Sequence, residues 1–189
     1  GIIVIFQEEI RKFFYNLGSR FSGQIHFRNR ANENGAWAHQ TAMMIVRACQ
    51  NMSQKKTGAL IVIAGHHDLK AYADTGERID ARISERLIEN IFFKNSPLHD
   101  GALIVDNNRI VAAGAILPVS KDNTLPLQYG LRHRAALGIT EMTGAMAIVV
   151  SEETGRISIS HIPSLTDIAT IHEIDESELL PLITAALNV

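Results

Sequence analysis

The stretch "GALIVDNNRIVAAGAILPV" constrains the fold more than any other part of the chain. Two apolar runs are separated by Asp106-Asn107-Asn108, and asparagine tolerates the positive φ that a tight hairpin turn requires. The runs therefore pair as antiparallel strands. "AMAIVVSEETGRISIS" repeats the arrangement, with Glu153-Thr154-Gly155 as its turn. A further run, "ALIVIAG", reads as a buried strand. The loop after it carries His66, His67 and Asp68, a surface turn by default, with metal binding the distant alternative.

Strands this apolar need cover, and periodic segments supply it. Trp37, Thr41, Met44, Ile45, Ala48 and Met52 mark one helix, and its Met and Trp positions read as core packing. Ile83, Leu87, Ile88 and Ile91 mark another, with Asp80 as its cap. "QYGLRHRAALGITEM" opens a short helix near Gly130. Residues 165–189 read as a helical tail, with Asp175 and Glu178 at capping-box spacing and Pro181 blurring its start. Near the N-terminus, Ile3, Phe6, Ile10, Phe13, Phe14 and Leu17 describe an amphipathic helix that ends near Gly18. The expected fold class is α/β, a single globular domain with a central mixed β-sheet flanked by helices. Residues 1–20 are assigned to the N-terminal helix, 21–35 to a loop, and 36–189 to the domain with its helical tail.

Charge and cysteine usage narrow the function classes. Eighteen basic against twenty acidic residues leave a net charge of -2, which gives no electrostatic case for nucleic-acid binding. Cys49 is the sole cysteine, so there is no intrachain disulfide and no CxxC metal site, and the expected compartment is the reducing cytoplasm. No apolar run reaches the ~18 residues of a membrane span. The chain starts at Gly1 and runs straight into "IIVIF", which leads us to expect a membrane region upstream.

Three polar clusters interrupt the apolar elements: His99-Asp100-Gly101 before a strand, Arg132-His133-Arg134 at a helix start, and Ser151-Glu152-Glu153 at a strand end. Each alone has an ordinary reading as a turn, a solvated face or a hairpin end. Together their chemistry is complementary. Arginines at a helix N-terminus suit phosphate oxygens. An aspartate beside a glycine lets a ligand approach the backbone while a carboxylate faces its hydroxyl. A histidine and a glutamate can hold a divalent ion against the same phosphates. GxxxxGK[ST] and GxGxxG are both missing, and a Ser-His-Asp hydrolase would lack its GxSxG elbow. The residues alone point to phosphoryl or nucleotidyl transfer.

"SPLHDGALIV", "GLRHRAALGITE" and "IVVSEETGRIS" resemble the ordered motifs of the diadenylate cyclase (DAC) domain family. "TGALIVIAG" and "TGERIDARISERLIENIF" are similar to its preceding segments, so the likeness spans residues 36–161. The helix "VIFQEEIRKFFYNLG" resembles the stretch that follows the membrane anchor in the CdaA-type branch. The resemblance implies condensation of two ATP into cyclic di-AMP with release of two pyrophosphates, using Mg²⁺ or Mn²⁺. It places the full-length protein at the inner face of a bacterial membrane. Asp100 then accepts or polarises the proton of the attacking ribose 3′-hydroxyl, and Gly101 and Ala102 lie against the nucleotide. Arg132, His133 and Arg134 grip the phosphates, Ser151 and Glu152 lie near phosphates and metal, and His99 and Glu153 contact the metal. Leu117 borders the adenine.

Two positions depart from the family pattern. Leu131 stands where threonine is common beside the phosphates, and Gly144 turns the usual "TDA" into "TGA". The first leaves a nucleotide-binding sensor module without catalysis as the alternative reading. The product has two equivalent phosphodiester links, whereas the chain holds one copy of each motif. The implied assembly is therefore a homodimer with one ATP per chain.

Overall fold

The computed structural model describes residues 31–188, with side chains from Gly35 onward. The amphipathic helix expected over residues 1–20 lies outside them, as does the loop expected over 21–35 up to residue 30; residues 31–35 are helix rather than loop. Residues Ala36–Val189 form one compact unit.

Seven strands build one sheet in the order β2-β4-β3-β1-β5-β6-β7. In chain order the elements are α1 (Ala31–Gln54), β1 (Ala59–Ile63), α2 (Lys70–Ala73), β2 (Glu77–Arg82), α3 (Glu85–Phe92), β3 (Ala102–Asp106), β4 (Arg109–Ala115), α4 (Leu131–Thr143), β5 (Met146–Val150), β6 (Ile157–His161), β7 (Thr170–Glu173) and α5 (Glu176–Leu187). Only β1 and β3 run parallel; every other neighbouring pair is antiparallel. Both expected hairpins form. Asn107 and Asn108 turn the first at φ 44° and 64°, and Gly155 turns the second at φ 77°.

Alternation along the strands sends side chains into two cores. Ile61, Leu103, Ile148 and Ile159 pack with α1, α3 and α5 on one face. Leu60, Ile104, Ala147 and Val149 pack with α4 on the other. The α4 contact residues Ala135, Ala136 and Ile139 are mostly small, which lets this helix lie close to the sheet. Ser160 Oγ donates to Thr140 Oγ1 at 2.8 Å and ties the helix to β6.

Three expectations are corrected. "ERIDAR" is an edge strand, β2, rather than the approach to a helix. Asp80 sits inside it at φ 49° and pairs with Arg109 Nε at 2.8 Å, so it is no cap. The cap of α3 is Ser84, whose Oγ accepts from Leu87 N at 3.1 Å. The tail is not continuous helix either: β7 precedes α5, and Asp175 occupies the N-cap without a side-chain bond. Replacing Ser84 by alanine should cost about 1 kcal/mol by chemical denaturation, since a donor of the first turn loses its acceptor.

Candidate active site

The topology brings four chain segments to one end of the sheet. β1 and β3 enter there, and their antiparallel neighbours β5 and β4 leave, because Ala59 pairs with Val150 and Ala102 with Ala115. The N-terminus of α4 closes over the same end. A cleft of about 780 Å³ opens between them, lined by residues of all three polar clusters.

Gly101 shapes the first cluster. Its φ is +98°, and a Cβ here would lie 2.7 Å from Gly114 C and 2.8 Å from Ala115 O. The chain therefore lies flat on the end of β4 and turns Asp100 outward, with its side chain 87% exposed. His99 is held from behind, its Nδ1 lying 2.7 Å from Ser96 O. A carbonyl only accepts, so Nδ1 carries the proton, and in the neutral ring Nε2 is the acceptor. That nitrogen is 3.5 Å from Asp100 Oδ1. Two acceptors side by side suit a cation between them.

The second cluster rides on α4. Gly130 is its N-cap with no side-chain bond, and the first intrahelical bond runs from Arg134 N to Gly130 O at 3.2 Å. The preceding N–H groups have no acceptor within the helix. Arg132 Nη1 reaches Glu152 Oε2 at 3.2 Å and packs on Gly58, where a Cβ would lie 2.5 Å from that nitrogen. His133 is buried and stacks on Tyr129 with centroids 4.4 Å apart and planes 5° from parallel. Burial holds the imidazole below its ordinary pKa; Glu173 opposes this and Arg132 adds to it.

The third cluster forms the β5–β6 turn. Ser151 Oγ accepts from Glu153 N and Thr154 N, each at 3.3 Å, which leaves its O–H free to donate. Glu152 and Glu153 line the cleft beside it.

Asp100, Gly101, Leu117, Leu131, Arg132, His133, Ser151, Glu152, His99 and Glu153 thus share one cleft. Ala102 and Arg134 are not on its wall. Ala102 is fully buried in β3, and the Arg134 guanidinium donates to Asp122 O at 3.1 Å. Among the described residues no three His, Cys, Asp or Glu side chains form a group able to hold a metal. His99 and Asp100 therefore fit a hard divalent ion only if phosphate oxygens complete its shell, the usual manner of Mg²⁺. Gly58, Ile116, Val119, Leu127 and Tyr129 are site features that the sequence reading missed. Only Gly58 left a signal there, in "TGALIVIAG".

The departures from the pattern also have structural settings. Leu131 is 71% exposed at the first turn of α4. Gly144 ends that helix at φ +83°, and a Cβ would come 2.9 Å from His67 Cε1. A glycine suits a left-handed C-terminus packed this closely.

A family model described as DAC, DisA bacterial checkpoint controller nucleotide-binding, matches residues 46–163. A diadenylate cyclase of Listeria monocytogenes is 42% identical over 160 residues, 85% of this chain and 57% of that protein. The chain thus spans little more than half of that relative's length. The crystal structure of DacA from Staphylococcus aureus, a double mutant, superposes with a TM-score of 0.73 at 34% identity, covering 78% of this chain and 95% of that one. A structure described as a hypothetical membrane spanning protein from Bacillus cereus gives 0.64 at 35% identity, over 93% and 80%. Among the described residues no helix is long and apolar enough to cross a membrane.

Proposed function

Because the chain belongs to the DAC family, we propose that it is a diadenylate cyclase that condenses two ATP into cyclic di-AMP and two pyrophosphates. The observation that carries this is the convergence of Asp100, Arg132 and Ser151 on one cleft, together with the family match. The ribose 3′-hydroxyl of one ATP attacks the α-phosphorus of the other. Its proton passes to Asp100, the bond from α-phosphorus to the bridging oxygen breaks, and pyrophosphate leaves with the electron pair. Arg132, the open N–H groups of α4 and the Ser151 hydroxyl are placed to hold phosphate oxygens. Buried His133, stacked on Tyr129, offers a hydrogen bond. Leu117 borders the adenine. A bound Mg²⁺ or Mn²⁺ would neutralise phosphate charge; His99 and Asp100 would hold it together with phosphate oxygens, and Glu153, which lines the same cleft, is the further candidate.

One chain presents one such cleft, so the second, equivalent attack calls for a second copy facing the first. Ile116, Val119, Leu127 and Leu131 are exposed apolar residues at the cleft, and they support closure by a partner protomer. The resemblance to a protein described as membrane spanning supports anchorage of the full-length protein.

The test is incubation with ATP and Mg²⁺ or Mn²⁺, with product identified by mass spectrometry. Cyclic di-AMP is expected, with two pyrophosphates per product. ATP binding without pyrophosphate release would instead mark a catalytically silent sensor module, the reading that Leu131 favours. Gly58→Ala should weaken ATP binding about tenfold while the melting temperature stays within a few degrees. The added methyl displaces the flexible end of Arg132 rather than backbone.

A further inference from the structure

One stripe of α4 faces away from the cleft. Arg134, Gly138 and Glu141 are four and three residues apart, the spacing of one helix face. All three meet residues 118–122. Arg134 Nη1 donates to Asp122 O at 3.1 Å, and Arg134 O accepts from Ser120 N at 2.9 Å. At Gly138 a Cβ would overlap the Pro118 carbonyl oxygen and lie 2.9 Å from Ser120 N. Glu141 Oε1 accepts from Ser120 Oγ at 2.9 Å, and the same Oγ accepts from Asp122 N at 3.2 Å. Ser120 is buried. Hydrogen bonds from Thr124, then the charge of Arg134, hold the Asp122 carboxyl below its ordinary pKa.

We propose that this stripe is a latch that sets the nucleoside wall of the cleft, and that Arg134 is a positioning residue rather than a phosphate ligand. The latched segment carries Val119 and follows directly on Leu117, both of which line the cleft. Holding Pro118 and Ser120 against α4 ties those two side chains to the same helix that presents Arg132. A displacement of about 1 Å in such a wall is enough to cost binding or rate heavily. The inference rests on the nucleotide-binding reading above.

The two roles for Arg134 separate by ligand. A phosphate contact matters for ATP and not for adenosine; a wall matters for both. Adenosine and ATP are titrated into wild type and the variants Arg134→Ala, Glu141→Ala, Glu141→Gln, Ser120→Ala and Arg132→Ala, with folding checked by circular dichroism. Arg134→Ala and Glu141→Ala should weaken adenosine and ATP by the same factor, about tenfold. Glu141→Gln keeps an acceptor oxygen for Ser120 and should stay near wild type. Ser120→Ala combined with Glu141→Ala should be no worse than either alone. Arg132→Ala should weaken ATP alone. If Arg134→Ala weakens ATP and spares adenosine, or if Glu141→Ala leaves adenosine unchanged, the latch is overturned while the nucleotide reading stands. Wild type that binds neither ligand overturns both.

Discussion

Under the proposed mechanism, Asp100→Asn should leave the protein folded and binding ATP but lower turnover by about a thousandfold, within the range that a positioned general base contributes. The carboxylate is 87% exposed, and among the described residues its only close polar side-chain neighbour is His99. Removing its charge therefore breaks no packing and no buried network, so stability should move by less than about 0.5 kcal/mol. What is lost is the acceptor for the 3′-hydroxyl proton, because an amide of the same shape is a far weaker base. The measurement is single-turnover pyrophosphate release beside an ATP titration, each over a range of Mg²⁺, because excess metal restores the loss of a metal ligand but not the loss of a base. The two readouts must part company, with affinity nearly kept and rate nearly gone. Turnover within tenfold of wild type would take the role of base away from Asp100.

Gly101→Ala should destabilise the fold by about 3 to 5 kcal/mol. Two penalties coincide there. At φ +98° an L side chain is strained, and the new Cβ would meet Gly114 C, Ala115 O and Gly114 O at 2.7 to 2.9 Å. These are backbone atoms of a paired strand and have no rotamer to escape into. Relief requires parting β3 from β4, and β3 is an interior strand of the sheet. Urea unfolding should show a lower midpoint with an unchanged slope. Gly130 is the control. Its φ is -83° and a Cβ would find nothing within 4 Å, so Gly130→Ala should cost under about 1 kcal/mol. Equal losses at the two positions would show that the close approach of Gly101 to β4 carries no energetic weight.

The same contrast explains which elements could be read in advance. The first hairpin was legible because Asn107 and Asn108 both adopt positive φ, a local demand that local residue types can meet. β2 was not, because "ERIDAR" lies at the sheet edge, largely exposed, with a register shift between Arg78 and Ala81. Its alternation rests on Ile79 and Ala81 alone, both only half-buried among four charged residues, too weak a pattern to announce a strand. β7 is four residues of edge strand, too short to interrupt a helical reading of the tail. Asp80 had the chemistry of a cap but is bonded by Arg109, 29 residues away, and no spacing rule reports such a partner.

The site divides along the same line. Residue order alone sets the chemical types: a carboxylate beside a glycine, a basic triplet opening a helix, and a serine with two glutamates at a strand end. It also determined the two-residue offset between Arg132 and Arg134. At 3.6 residues per turn that offset places them about 200° apart around the helix, so neighbours in the triplet need not share a task. Which arginine faces the cleft was decided only by the tertiary structure, through the packing of α4 on the sheet. Burial of Ala135, Ala136 and Ile139 orients the helix with Arg132 over Gly58 and Arg134 against residues 118–122. A helix rotates as a rigid body to bury its apolar stripe, and every polar residue it carries is aimed by that rotation.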